Sequence, residues 1–522
     1  MGEEESESSY LSCAQRLGLP IVDDLSDYPF VRDRVRKLPY GVVKKHMILP
    51  LEEKGGVLVV AIGHPGKNTG QEEVRCLTGM EQEEVFCPER RISEAIESCY
   101  RQGDREASLY IEGLKKGGAT TSVESESVIE EDGDLLHVED GSPVVRLLNM
   151  VIAEAVRQKV SDIHFEPTIA GLRIRYRIDG VLQTRHTPPA DMHKQLITRM
   201  KVMAKLDIAE QRLPQDGRIR LNMGKREIDF RISTLPVVFG ERIVLRILDK
   251  SNILFGLQDI GMEEEMLSLF RKQVGANRGL ILVTGPTGSG KTTTLYGAVS
   301  EVDITSLNLM TIEDPVEYKL PGIAQIGVNG KIGLSFARGL RHILRQDPDV
   351  IMVGEIRDKE TAEIAVRSSL TGHLVLSTLH TNDAPSALIR LADMGVEPYL
   401  ISSSVSAVLA QRLVRRICPH CKVEYAPSAQ ESADLGMDAT PSPPLFRGEG
   451  CGACFGLGYR GRCGIYELMT VRRRVQNALL DSADAGAMQR AARLDGMRTL
   501  RESATMLAVQ GITTASEVFR VT

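Results

Sequence analysis

One segment restricts the fold more than any other. Gly279-Leu-Ile-Leu-Val-Thr284 is an apolar run of strand length, and GPTGSGKT follows it at once from Gly285 to Thr292, ahead of a helical pattern that opens at Thr293. With a strand before it and a helix after it, the spacing G-x-x-x-x-G-K-[ST] lets backbone N–H groups and the helix N-terminus surround phosphates. Such a loop belongs at the carboxyl edge of an open α/β sheet, so the fold class is α/β. Lys291 would reach the β- and γ-phosphates and the Thr292 hydroxyl would ligate Mg²⁺. Gly285, Pro286, Thr287, Gly288, Ser289, Gly290 and Thr293 would complete the cradle. The expected ligands are ATP and Mg²⁺, whether the chain is a motor, a kinase or a switch.

Two downstream segments narrow that choice. Asn308 to Tyr318 places Glu313, Asp314 and Glu317 at the end of an apolar strand, the end where ligands sit in open sheets. Leu344 to Asp358 reads LRQDPDVIMVGEIRD, and its strand Val350-Ile-Met-Val353 ends in Gly354-Glu355. The position that normally carries a metal-holding aspartate is Gly354. Mg²⁺ is then held through water by Glu355 and the earlier carboxylates, or its contact weakens between catalytic states. Glu355 is placed to deprotonate an attacking water. His373 and His380 flank the strand inside TGHLVLSTLHTND, and an extended strand separates them by about 20 Å. They do not share one ligand, and His380, towards the nucleotide edge of a parallel sheet, is placed to sense the γ-phosphate.

Cysteine spacing predicts a metal. Cys418-Pro-His-Cys421 and Cys451-Gly-Ala-Cys454 are two C-x-x-C knuckles with 29 residues between them. Two such pairs close a tetrahedral Cys₄ zinc site with no open position, so the zinc is structural. His420 and Cys463 stand near enough to replace one ligand. Cys13, Cys76, Cys87 and Cys99 lack ligand spacing and read as core residues.

Length sets the remaining organisation, because 522 residues make three to five domains at roughly 100 to 200 residues each. Residues 11–105 read as a small α/β domain with a strand in Gly56 to Ile62 and a polar helix from Arg91 to Gln102. From Glu124 to Asp140 there are eight carboxylates and no lysine or arginine, the composition of a solvated linker. Ser142-Pro143 starts a helix, with Val144, Leu147, Leu148, Val151, Ile152 and Ala155 on its buried face. Leu172 to Ile178, Arg218 to Leu221 and Ile228 to Ile232 then alternate apolar residues with arginines. That alternation predicts an antiparallel sheet with one arginine-rich face. Asp229 is the only carboxylate within these runs, which suggests that an anion is brought against them. A net charge of −6 and the lack of aromatic stacking motifs argue against nucleic acid as a partner. The acidic N-terminus, MGEEESESS, is unlike an export signal, which points to the cytoplasm.

Taken together, GPTGSGKT, TIEDPVEY, LRQDPDVIMVGEIRD and TGHLVLSTLHTND resemble the Walker A, Asp box, Walker B and His box of the secretion-ATPase superfamily. These are the hexameric AAA-like motors of type II secretion, type IV pilus assembly and DNA uptake. The resemblance runs upstream through SDIHFEP, LPQDGRIR and FGERIVLR, and covers about residues 142–470. It implies a RecA-like ATPase core over 251–415 after a PAS-like arginine-rich domain over 142–250. It further implies an acidic tail 1–10, a partner-docking domain 11–105, an acidic linker 106–141, a zinc insertion 416–465 and a helical region 466–522. Walker B glycine is usual there, and the resemblance makes Glu355 the base and Glu313 its helper. Arg231 and Arg246 would swing onto the γ-phosphate, and Arg341 and Arg345 are candidates for inter-subunit contacts. The paired cysteines look like those of the secretion and pilus-extension branches. The implied partners are five further copies in a homohexamer, a bitopic inner-membrane protein docking on 11–105, and an inner-membrane secretion platform, with the chain peripheral at the cytoplasmic face. The paired repeats with which some pilus-type relatives bind cyclic dinucleotides are not legible.

Overall fold

The computed structural model describes residues 142–223, 226–249, 256–437, 442–482 and 484–522, together with 13–22, 46–54, 57–65, 80–88 and isolated positions among the first 111. The acidic run 124–140, most of the helix expected over 91–102, and Cys76 and Cys99 lie outside these residues. The chain divides into two compact units, one of residues 1–178, 182–225 and 229–247, the other of 179–181, 226–228 and 248–522.

Within the first unit, β1 (Ile48–Lys54), β2 (Val57–Ile62) and β3 (Glu81–Phe86) form a small mixed sheet, β1 antiparallel and β2 parallel to its neighbour. Cys87 is buried beneath it, whereas Cys13 is only half-buried. A helix then runs from Pro143 to Arg157 with every residue of the expected apolar face buried, although the Ser142 side chain makes no capping bond. Six strands follow: β4 (Asp162–Thr168), β5 (Gly171–Ile178), β6 (Val181–His186), β7 (Gln215–Met223), β8 (Arg226–Val237) and β9 (Gly240–Asp249). They form one sheet in the order β6-β5-β4-β9-β8-β7, antiparallel at β4–β5 and β4–β9. Leu172, Ile174, Tyr176 and Ile178 point into the core and the intervening arginines away from it, as period-two alternation requires.

The arginine face carries its own counter-charges, so an anion brought against it would have to displace carboxylates already in place. Register places β4 between β5 and β9, so Asp162 lies across from both Arg177 and Arg246. Arg246 Nε donates to Asp162 Oδ1 at 3.0 Å. Glu166 accepts from Arg173 at 3.1 Å and Arg175 at 2.5 Å, and pairs with Arg242 at 2.9 Å. Burial alone would raise the Glu166 pKa, but these guanidiniums hold it below the usual carboxylate range.

In the second unit the strands are β10 (Gly279–Thr284), β11 (Leu309–Glu313), β12 (Ala324–Gly327), β13 (Val350–Val353), β14 (Leu374–Leu379), β15 (Val405–Ile417), β16 (Lys422–Tyr425), β17 (Leu445–Gly448) and β18 (Tyr459–Thr470). Seven form one sheet in the order β12-β11-β13-β14-β10-β15-β18, parallel except for the β15–β18 edge pair. Every residue of β10, β11, β13 and β14 is buried, the mark of strands covered on both faces. Leu280 and Leu282 join one core with the helices Phe336–Ile343, Lys359–Leu370 and Ala384–Asp393. Ile281 and Val283 join another with Glu264–Val274 and Lys291–Ser300. The loop after β10 is thus anchored by a strand that cannot shift without opening both cores. Among the described residues, no helix is long and apolar enough to cross a membrane.

Candidate functional site

The segment Gly285–Gly290 turns through backbone conformations only glycine adopts easily, with φ of 149°, 80° and 91° at Gly285, Gly288 and Gly290. A Cβ on Gly285 would lie 2.4 Å from the Gln411 carbonyl oxygen. The helix starts at Lys291, which puts Thr292 and Thr293 exposed on its first turn. Lys291 is buried, and its Nζ donates to the carbonyls of Gly285 at 2.7 Å and Pro286 at 3.1 Å. Burial lowers its pKa to about 8, against the opposing pull of Glu355. Ser289 Oγ is buried with no hydrogen-bond partner among the described residues, and sits 2.7 Å from where a Gly285 Cβ would be. An orphaned hydroxyl, a lysine and a glycine-lined concavity at a helix N-terminus suit a polyphosphate with its Mg²⁺.

Around the loop, parallel pairing aligns the neighbouring strand ends. Glu355 follows β13 after Gly354 and accepts from Arg357 at 2.6 Å, while His380 Nε2, just past β14, lies 3.5 Å from its other oxygen. Burial and the charge of Lys291 lower the His380 pKa, so the ring is neutral at pH 7. His373 stands at the far end of β14, where its Nδ1 faces the Ser368 carbonyl oxygen at 2.9 Å. The structure therefore brings together Lys291, Glu355 and His380 and leaves His373 out. Gly354 N–H donates to Ile312 O at 2.8 Å, and a Cβ there would press on that oxygen at 3.3 Å. This close strand approach is a physical reason for glycine where an aspartate would otherwise stand.

Glu313 is buried at the end of β11, where it accepts from Thr311 at 2.6 Å, Gln325 at 3.1 Å and the Tyr296 hydroxyl. Asp314 beyond it is exposed. Arg231 and Arg246 belong to the first unit, and Arg246 is held by Asp162. On the helix Phe336–Ile343 and just beyond it, Arg341 pairs with Glu360, and Arg345 donates to the Arg341 carbonyl at 3.0 Å.

Gln411, Thr294 and Thr381 carry no sequence signal that flags them, nor do Tyr296 and Gln325 beside Glu313. Gln411, on β15, donates from Nε2 to the Ser289 carbonyl at 2.7 Å and accepts from Thr294 Oγ1 at 2.7 Å. Thr381 N–H donates to Thr284 Oγ1 at 2.9 Å, which pins the segment carrying His380 to the strand before the loop.

Just past the end of β15 at Ile417, Cys418 joins Cys421, Cys451 and Cys454, and the four sulfurs lie within 4.8 Å of one another. The separations Cys418–Cys451 and Cys421–Cys454 are 3.8 Å, and Cys451–Cys454 is 3.7 Å. Zinc–sulfur bonds of about 2.3 Å at tetrahedral angles require sulfurs roughly 3.8 Å apart, so the quartet has the size of a zinc site. Backbone N–H groups of Gly450, Cys451 and Gly458 point at these sulfurs from 3.1 to 3.3 Å. His420 is exposed and Cys463 pairs across the sheet with Val414; neither belongs to the quartet.

A family model described as Type II/IV secretion system protein matches residues 137–520, and one described as MshEN domain matches residues 17–106. The chain is 49% identical over 495 residues to the type II secretion system protein E of Pseudomonas aeruginosa, over 93% of this chain and 96% of that one. It is 41% identical over 521 residues to the type IV pilus assembly ATPase PilB of Myxococcus xanthus, over 99% of this chain and 91% of that one. Among solved structures, the DotB ATPase of Yersinia pseudotuberculosis shares the fold at 20% identity, covering 77% of this chain and 97% of that chain with a TM-score of 0.53.

Proposed function

The chain belongs to the Type II/IV secretion system protein family, and from that membership we propose that it is the motor of a type II secretion machine. It is a Mg²⁺-dependent ATPase, hexameric in its working form, that drives pseudopilus assembly and protein export across the outer membrane. It acts at the cytoplasmic face of the inner membrane through a platform and through a bitopic docking protein that binds residues 11–105. The core over 251–415 is RecA-like, the domain over 142–250 PAS-like, 416–465 a zinc insertion and 466–522 a helical region, after an acidic tail 1–10 and linker 106–141. The observation that carries this reading is the phosphate loop itself, with Lys291, Glu355 and His380 gathered at one edge of a parallel sheet.

In this reading Lys291 and the N–H groups of Gly285 to Thr293 bind the β- and γ-phosphates. The Thr292 hydroxyl would hold Mg²⁺, which would supply positive charge against the phosphates. Glu355 takes the proton of the attacking water, oriented by Arg357, and neutral His380 reports on the γ-phosphate. Glu313 is the helper, and because its carboxylate accepts from Tyr296, Thr311 and Gln325 its help is positional. Arg231 and Arg246 stabilise γ-phosphate charge, Arg246 by exchanging Asp162 for phosphate. Cys418, Cys421, Cys451 and Cys454 hold a structural Zn²⁺, a role supported by their mutual spacing.

Pilus extension is the second reading, favoured by the PilB match over nearly the whole chain. The test is a pull-down from the native cells with Glu355→Gln protein, which should bind ATP and not turn it over. Recovery of secretion-platform proteins supports the first reading, and recovery of pilus-platform proteins the second. Normal hydrolysis by Glu355→Gln would overturn its role as base.

A further inference from the structure

The sequence motif accounts for the loop's glycines and lysine but not for what fixes its peptide planes. Gln411 does so from outside the motif. It lies on β15, which pairs with β10 through Thr284 and Ala410 and then continues past the point where the loop leaves the sheet. Its backbone oxygen packs against Gly285, its Nε2 stands 3.2 Å from where a Gly290 Cβ would be, and its side-chain amide bridges Ser289 O and Thr294 Oγ1. The side chain is 2% exposed, so neither bond competes with water.

The amide has a definite orientation. Thr294 donates to Oε1, which leaves Nε2 to donate to the Ser289 carbonyl. In a trans peptide the C=O of one residue and the N–H of the next point to opposite sides of the chain. Drawing the Ser289 carbonyl towards β15 therefore turns the Gly290 N–H the other way, into the concavity of the loop. Thr294, one turn into the helix that the loop caps, completes the brace. We propose that Gln411 is a positioning residue for phosphate binding, holding the Ser289–Gly290 peptide so that its N–H faces the β-phosphate before nucleotide arrives. This rests on the ATPase reading above and adds to it a group that touches the loop without touching the nucleotide.

The experiment compares full-length wild type, Gln411→Glu and Thr294→Val by titration with fluorescently labelled ADP and by steady-state ATP hydrolysis. A glutamate keeps the shape but offers an oxygen to the Ser289 carbonyl where a donor is needed. Losing one buried donor in this way should weaken ADP binding about tenfold. The loop N–H grips ground and transition states alike, so KM for ATP should rise by a similar factor while kcat stays within about threefold. Thr294→Val removes only the hydroxyl that orients the amide, a milder change that tests the brace even if Gln411→Glu folds poorly; about a threefold loss of ADP affinity is expected. Gln411→Glu or Thr294→Val protein that folds and binds ADP as wild type does would overturn the proposal, as would a fall in kcat with KM unchanged. Wild type that fails to bind ADP at all would instead remove the ATPase reading beneath it.

Discussion

Raising the pH from 7 to 9 should weaken nucleotide binding about tenfold through one side chain. Lys291 is buried, and burial pulls its pKa down to about 8 despite the opposing charge of Glu355. The ammonium is then about 90% protonated at pH 7 and about 10% at pH 9. A bound β-phosphate favours the charged form and returns the lysine to its ordinary range, so binding above pH 8 takes up a proton. The dissociation constant should therefore rise by nearly one decade per pH unit beyond 8 and level off below 7. Phosphate ionisation, with a second pKa of about 6, is about 90% complete at pH 7 and adds little slope above it. The assay is titration of full-length protein with fluorescent ADP at fixed ionic strength from pH 7 to 9.5. Lys291→Arg supplies the control, since guanidinium stays charged throughout and should bind more weakly with no slope. A wild-type profile flat to pH 9.5, or an arginine variant with the same slope, would refute the reasoning. The low pKa has a cost in stability as well. Below pH 8 the fold holds a charged lysine that the unfolded chain holds more easily, worth about 3 kcal/mol at pH 7 before the two loop carbonyls return part of it. Lys291→Met, inactive, should accordingly melt no lower than wild type.

Other outcomes follow from other parts of the second unit. Burial would raise the Glu517 pKa, but Arg520 and Arg415 hold it at about 2, so its contribution is present above the ordinary carboxylate range and fades as the pH falls towards 2. Glu517→Gln should cost about 3 kcal/mol at pH 7 and about 1 kcal/mol at pH 3, read by hydrogen exchange at residues 512–522; a gap that does not narrow with acid would exclude this account. Cys421→Ser should drop bound zinc well below one per chain and expose 418–458 to protease, and undiminished metal would remove the Cys₄ assignment. Gly354→Asp, which restores the usual Walker B residue, should destabilise by about 1 to 3 kcal/mol because its Cβ meets Ile312 O, and should slow hydrolysis; a faster enzyme would show that the tight approach is not what keeps glycine there.

What could be read from the sequence was whatever local spacing encodes. The phosphate loop and the cysteine quartet are patterns of a few residues whose geometry follows from their own backbone, and both are built as their spacing predicts. Period-two alternation likewise turned the arginine runs into strands with the right faces. The counter-charges on those strands are not legible, because the balancing groups arrive from another strand. Asp162 and Glu166 meet their arginines only through the register of β4 against β5 and β9, which no local pattern specifies. Glu313 was visible as a strand-end carboxylate, but Tyr296 and Gln325, which hold it, reach it only in the folded sheet. Gln411 is the extreme case, 117 residues from the threonine it bonds and surrounded by ordinary strand residues. Its importance comes from β15 outlasting β10, a property of sheet topology.

The pairing of β15 with β18 sets the cysteine module on a narrow stem. Arg415 pairs with Arg462 and Ile417 with Tyr459, so the chain leaves the sheet for Cys418 and returns only a strand's width away. Paired residues at such a position stand about 5 Å apart, a gap that a short turn can bridge. The segment between them is nonetheless no detachable insert, because Leu435 and Leu445 are buried in one core with Val408 and Met469, and Arg501 donates to the Asp434 carbonyl at 2.6 Å. A chain that lost the module would have to refill the core it vacates, so the metal knot and the sheet edge are bound to change together.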